Sequence, residues 1–415
     1  VSEVTDERPD AVLPGPRQAS SPVTPAEPTA PLHRGPWRRA FLTGLSTWAA
    51  AQAMYLLINA MFWMLKSEAG PPVNGLLEVW NRWDTGHYVT IALTGYNPAN
   101  ENGAFFPLYP MIMRVLEPVL PGGMLAAGLI VAWAACVAAL SVIFRLTDDL
   151  IGPATAQRAV LYVMAFPFAF YLCAAYNESL FLALSAASLY CMRRQYWWLA
   201  GMWAGFASGT RQAGVLLAVA FAIEYLRQRE FRLTRLRVDA AGILLVPVGL
   251  LGYIVYSAYK FDDPLRFVHI QAFWGRATTV PWAGALRTLD QLIDAGSGGA
   301  IFQPVVVMDV IDLLTVPVTI TLLVLSVVGR WKLGPEAWYL VAFASISFLL
   351  ALSSPLGLSY PPLHGLPRYA MELLPAFMVV ARMGANRAVE RFYLLPALGI
   401  QATLLLAYFN GVWLS

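Results

Sequence analysis

Charge is what this 415-residue sequence has least of. Only 13% of its residues are Asp, Glu, Lys or Arg, where ordinary soluble domains carry about 25%. A water-exposed surface cannot be built from so few charges, so a soluble enzyme is excluded. The 28 basic and 25 acidic residues nearly cancel, at +3, and the basic ones are scattered among apolar segments. The electrostatic footprint of a nucleic-acid binder is therefore missing. Cysteine is scarce as well. Cys136, Cys173 and Cys191 all lie inside apolar runs, without the paired spacing of a zinc site or a disulfide framework, and read as small packing residues.

Hydrophobic residues, by contrast, make up 58% of the chain, and the mean hydropathy is +0.57. Several apolar stretches exceed the roughly 20 residues a helix needs to cross a bilayer, which predicts an all-α polytopic membrane protein. Residues 1–35, rich in Pro, Ser, Thr and Ala, cannot bury enough apolar surface to offset the entropy of ordering, and are expected to form a disordered cytoplasmic tail. The first apolar run, from about Ala40 to Leu65, is longer than a signal-peptide core and is expected to be an uncleaved span. Further runs at 123–146, 158–175, 178–192, 197–210, 212–226, 239–258, 302–329, 337–352, 369–382 and 391–411 give about eleven spans, so that 36–415 reads as one transmembrane domain. The runs at 197–210 and 212–226 are too short to cross fully; they suggest a broken pair meeting at Ser208-Gly209-Thr210-Arg211. With the tail inside, nineteen Lys and Arg fall on the cytoplasmic side, eight on the other and Arg211 at the break, which favours that orientation.

Two long outer segments, 66–122 and 259–301, are rich in Trp, Tyr, Phe and Pro as well as charges. Long loops in compact folds are usually functional, although such aromatics also anchor a bundle at the interface. The first holds Trp80 to Tyr88, with Asp84 and His87 three apart. On a helix they share a face, so the imidazole can hold the carboxylate or share its proton, and Asp84 becomes a candidate general base. Asp is equally favoured as a helix cap, and spacing does not decide between the two. His87, His269 and His364, with Asp84 or Glu101, raise the question of a metal site, but no two of them have close ligand spacing.

Asn177, Glu178 and Arg211 interrupt apolar sequence. Such groups in a membrane segment face the protein interior or a wet cavity, so they are candidates for one polar site, or for a structural Glu178 to Arg211 pair. Asp309 and Asp312 share a helix face and rank as secondary candidates, either lining the outer cavity or hydrated near the interface. Arg276 and Arg368, with Arg211, are phosphate candidates because the guanidinium fork matches phosphate oxygens and stays charged; carbonyl capping and lipid contact are the plainer alternatives.

Taken together and in order, several segments resemble the PIG-V-type mannosyltransferases, a family with the GT-C membrane glycosyltransferase architecture. They are Arg82-Trp83-Asp84 with His87-Tyr88, Gly95-Tyr96, Ala104 to Pro110, Tyr176 to Phe181, Trp197 to Gly201 leading to Thr210-Arg211, Gln271, Trp274-Gly275-Arg276, Pro281-Trp282 and Pro367-Arg368-Tyr369. The resemblance implies an inverting transferase that takes mannose from a polyprenyl-phosphate carrier to a glycolipid or other hydroxyl acceptor on the extracytoplasmic face, in a bacterial homologue at the plasma membrane. It implies Asp84 as the base; the mechanism we read from the residues themselves adds His87 to orient it and Arg211, Arg276 or Arg368 at the donor phosphate. Asn177, Glu178 and Gln271 would bind sugar hydroxyls or fix the arginines; Trp83, Tyr109, Trp274 and Tyr369 would stack on the sugar or cover the isoprenoid. No nucleotide, cofactor or obligatory metal is implied. The rival reading is a carrier or flippase for a lipid-linked sugar, to which intramembrane charges and a broken helix pair are also suited.

Overall fold

Every one of the eleven apolar runs carries helix in the computed structural model, which describes residues 1–2, 37–66, 75–297, 303–357 and 360–414. The expected disordered tail therefore lies almost wholly outside the described residues, as do short stretches of both outer segments. Residues 35–415 form one unit. Its helices are α1 (Trp37–Lys66), α2 (Asp84–Thr94), α3 (Leu108–Leu116), α4 (Gly123–Leu150), α5 (Pro153–Ala165), α6 (Glu178–Arg193), α7 (Trp197–Ser208), α8 (Leu217–Gln228), α9 (Val248–Phe261), α10 (Ala283–Ser297), α11 (Pro304–Val327), α12 (Trp338–Leu352), α13 (Leu366–Ala370), α14 (Leu374–Met383) and α15 (Arg387–Phe409). Among the described residues, six helical stretches are long and apolar enough to cross a membrane: 37–66, 123–150, 238–261, 305–327, 335–352 and 387–409.

The core forms around α4, which packs on α6, α1 and α5; α14 then covers α5, and α12 covers α8. Local sequence sets the boundaries. Pro153 opens α5, where its missing N–H costs nothing, and the Asn386 side chain accepts the Ala388 N–H at the start of α15. The expected broken pair is present. α7 stops at Ser208, Arg211 is extended at φ −153° and ψ 144°, and a 3-10 turn over Gln212–Leu216 leads into α8.

Glycine makes the close crossing behind that break. A Cβ on Gly201 would overlap the Gly242 carbonyl, and one on Gly249 would overlap Gly205 and Gly209 backbone atoms. Backbone thus meets backbone where α7 crosses the 238–261 segment. The Ser208 hydroxyl donates to the Val246 carbonyl at 2.7 Å and accepts the Leu250 N–H at 3.2 Å. The two outer segments are not bare loops: the first contains α2 and α3, and the second contains α10.

Candidate active site

The start of α2 is held in an unusual backbone shape. Trp83 has φ 49° and ψ −116°, a conformation disfavoured for any residue with a Cβ, which persists only when the surroundings enforce it. Here they do. The Tyr176 hydroxyl donates to the Arg82 carbonyl at 3.2 Å and accepts the Asp84 N–H at 3.3 Å, clamping the chain on both sides of Trp83. The Thr85 and Tyr408 hydroxyls both donate to the Trp80 carbonyl at 3.1 Å. Asp84 is thus the first helical residue, the cap position belongs to Trp83, and no side chain caps the helix. Freed from capping, the Asp84 carboxylate accepts the Arg368 Nη2–H at 2.9 Å.

Arg368 lies between two carboxylates, since its Nε–H also donates to Glu178 Oε1 at 3.0 Å. Its guanidinium stacks over the Tyr171 and Tyr176 rings, 4.7 and 4.9 Å from their centroids. Arg211 pairs with Glu372 rather than Glu178 and lies 4.9 Å over the Tyr369 ring. Each guanidinium is thereby compensated where water is largely excluded, which buried charges require. Arg276 differs. It is half-buried and donates from Nη1 to the Ser354 carbonyl at 2.9 Å, and it has no carboxylate partner among the described residues.

These groups line a cavity of about 790 Å³ whose wall includes Trp83, Asp84, Asn177, Arg211, Gln271, Trp274, Arg276, Arg368 and Tyr369. Arg211 and Arg368 are offset by Glu372, Asp84 and Glu178, which leaves Arg276 as the lining guanidinium without a carboxylate of its own among the described residues and suited to a phosphate ester. His364 on the same wall stays neutral near pH 7: burial pushes its pKa down to about 4, and the Arg368 and Arg276 charges act in the same direction.

Several residues sit otherwise than the sequence led us to expect. His87 lines the cavity but does not hold Asp84; its Nδ1 pairs with Asn102 Oδ1 at 2.8 Å, and its ring stacks on Phe105. Tyr109 is fully buried, donates to the Gly128 carbonyl at 2.8 Å and packs edge-on against Tyr88, so it is a core residue rather than a sugar platform. Glu178, 1% exposed, backs Arg368 instead of lining the cavity. Asn177 lines it, yet its amide is committed to the Thr210 carbonyl at 2.8 Å. Asp309 and Asp312 are buried in α11 off the cavity, with Asp312 3.8 Å from His364. His269 is exposed and pairs with Asp263 at 2.9 Å, and the described residues contain no group of three or more His, Cys, Asp or Glu placed to hold a metal.

Tyr360 and Trp413 also line the cavity, and sequence reasoning passed over both. Trp413 packs on His364, Tyr360 and Trp83, at 4.4, 5.4 and 6.2 Å between centroids. The signal for it was the Asn410-Gly411 pair, a turn dipeptide. Gly411 at φ 79° ends the last helix early and sends Trp413 back to the cavity.

With that geometry in place, similarity to known proteins becomes informative. A family model described as mannosyltransferase (PIG-V) matches residues 56–261, a stretch that includes Asp84, Glu178 and Arg211. GPI alpha-1,6-mannosyltransferase 2 from Cricetulus griseus is 31% identical over 163 residues, 36% of this chain and 32% of that protein. The Mus musculus protein of the same name is 30% identical over 156 residues, covering 35% and 31%. The matched stretch thus spans about a third of either relative. The crystal structure of ArnT from Cupriavidus metallidurans bound to undecaprenyl phosphate shares the fold at a TM-score of 0.50 and 13% identity, over 91% of this chain and 76% of that one. Residues 56–261, just under half of the chain, thus match the mannosyltransferase (PIG-V) family model, and the chain shares its all-helical membrane fold with ArnT.

Proposed function

We propose that the protein transfers mannose from a polyprenyl-phosphate-mannose to a hydroxyl of a lipid-linked or other acceptor on the extracytoplasmic face, in a single inverting displacement. The observation that carries this reading is the Asp84 carboxylate 2.9 Å from the Arg368 guanidinium, on the wall of a cavity that also receives Arg276. Asp84 takes the proton of the attacking hydroxyl, the acceptor oxygen bonds to the anomeric carbon, and the carbon–oxygen bond to phosphate breaks with its electron pair leaving on the phosphate. The negative charge that develops there needs preorganised donors. Arg276 is the first choice, because its charge is not already cancelled by a carboxylate among the described residues. Arg368 holds Asp84 in place, and Arg211 with Glu372 frames the far wall. The match to the mannosyltransferase (PIG-V) family model and the undecaprenyl phosphate held by a protein of the same fold support a lipid-phosphate donor.

The test is the Asp84→Asn variant, purified as the full chain and assayed with a short-chain polyprenyl-phosphate-mannose and octyl α-D-mannopyranoside as acceptor. Turnover is expected to fall by about 10² to 10⁴, the usual contribution of a positioned base. Turnover equal to the parent's removes the assignment.

A further inference from the structure

Beyond α8 the chain makes a second strained turn. Glu230 and Phe231 both lie in the left-handed region, at φ 57° and 56°, which is uncommon for residues that carry a Cβ. The Phe231 N–H closes the turn by donating to the Leu226 carbonyl at 2.8 Å. Residues 231–238 then run on as a strap in which all eight are exposed. Apolar and basic side chains mingle along it: Phe231, Leu233, Leu236 and Val238 are interspersed with Arg232, Arg235 and Arg237. Leu233 is 70% exposed and Val238 83%.

The strap is anchored at its far end as well. The Tyr225 hydroxyl accepts the Arg237 N–H at 3.1 Å and donates to Asp239 Oδ1 at 2.6 Å, and Asp239 Oδ2 accepts from Arg229 at 3.3 Å. Tyr225 itself is buried against Trp197, 4.7 Å between ring centroids. Backbone and buried groups thus hold the strap in place and leave its apolar side chains facing outward. What lies outside is set by the next segment. Residues 238–261 are long and apolar enough to cross a membrane and are little covered by the rest of the chain. Their other end, Phe261, leads to Phe267 and Gln271 of the cavity wall. A stretch of 24 residues reaches across a bilayer, so the strap lies at the membrane face opposite the cavity, level with lipid headgroups.

Charge selects among lipids. From Glu224 to Asp239, five arginines stand against three carboxylates. Arg227 is held by buried Glu224, and Arg229 by Asp239. Glu230 is shared between Arg232 and Arg235, at 3.5 and 2.6 Å, with all three side chains exposed; such pairs are weak and readily exchanged. Arg237, also exposed, has no carboxylate partner among the described residues. Guanidinium forks set between apolar side chains at headgroup depth match a phosphodiester with acyl chains beneath it. We infer that residues 231–238 are a docking surface for anionic phospholipid in the leaflet opposite the cavity. Phe231, Leu233, Leu236 and Val238 enter the headgroup boundary, and Arg232, Arg235 and Arg237 hold headgroup phosphates. A zwitterionic headgroup cancels its own phosphate charge, so the surface prefers a net negative one. Lying at the other face, the strap acts independently of the reaction proposed above.

The experiment uses the full chain in phosphatidylcholine nanodiscs, with an NBD fluorophore on Leu233→Cys; Cys136, Cys173 and Cys191 are buried and stay unlabelled. Trace phosphatidylglycerol or trace phosphatidylcholine, each with a nitroxide high on its acyl chain, is introduced in separate samples, and quenching of the NBD reads which lipid sits against the strap. Phosphatidylglycerol should quench at least about threefold more than phosphatidylcholine, and the ratio should fall towards one in about 0.5 M salt. The Arg232→Gln/Arg235→Gln/Arg237→Gln variant changes only exposed side chains, so it should keep the parent's melting temperature and lose the preference. Arg387→Gln/Arg391→Gln, which removes two exposed arginines from the start of α15, should keep both. The inference is overturned if the two lipids quench equally, if the triple variant retains the preference, or if the α15 variant loses it as fully. It is overturned equally if neither lipid quenches, which would place the strap in water and open to a soluble partner.

Discussion

Arg368 and Arg276 were equivalent as residues in a sequence, and the fold makes them different. Arg368 holds together two carboxylates, and Glu178 behind it is 1% exposed. Arg368→Ala strands that charge and should cost about 3 to 5 kcal/mol of stability, seen as a lower melting temperature. Arg276→Ala loses one bond to a carbonyl, about 1 kcal/mol or less, and should instead raise donor KM. If the two variants melt alike, the paired and unpaired roles are misassigned. His364 supplies a pH signature. Its pKa of about 4 in the fold lies below the unfolded value of 6.5, so the unfolded chain binds more protons between those limits, and stability falls as pH drops from about 6.5 to about 4. His364→Phe should flatten melting temperature against pH across that window. Sequence singled out Asp84, Glu178 and the three arginines because charge is conspicuous in apolar surroundings. The alternative it offered for Glu178 was a pair with Arg211, 33 residues away, whereas the partner is Arg368, 190 residues away. Pairing is decided by how helices cross, which no local spacing encodes.

At the scale of elements, the boundaries were largely legible because apolar runs and polar breaks mark them, and the Ser208 to Arg211 break is where the polar run placed it. The support behind it was not read, although Gly201 and Gly205, four residues apart, form a small-residue stripe of the kind that lets membrane helices approach closely. Their partner glycines, 242 and 249, stand on another segment, and only the fold brings them together. Gly201→Ala should therefore cost about 1 to 3 kcal/mol through overpacking, and an unchanged melting curve would mean that α7 and the 238–261 segment do not touch. The same contact bears on the carrier reading. Here the break is packed from behind by backbone and by Ser208, so in a carrier it would have to move together with the 238–261 segment.

Across the whole molecule, hydropathy was enough to predict an all-helical membrane protein. What it could not supply was the way the start of α2, the 267–278 stretch, α13 and the residue after the last turn converge on one cavity. Orientation is testable with the native sequence as background, since Cys136, Cys173 and Cys191 are all buried. In intact cells, a membrane-impermeant maleimide should label Asn97→Cys, whose parent residue is exposed on the first outer segment, and should reach Arg235→Cys only after permeabilisation. The reverse pattern would invert the proposed topology.

The contrast between sheltered and open arginines also sets what dissolved salt can reach. Counterions at physiological strength screen over about 8 Å, and only where solvent penetrates. The Arg211–Glu372 and Arg368–Glu178 pairs lie mostly beyond that influence, whereas the side chain at 276 does not. Under the proposed function, raised ionic strength should therefore weaken donor capture while leaving the scaffold around the carboxylate at position 84 largely unaffected.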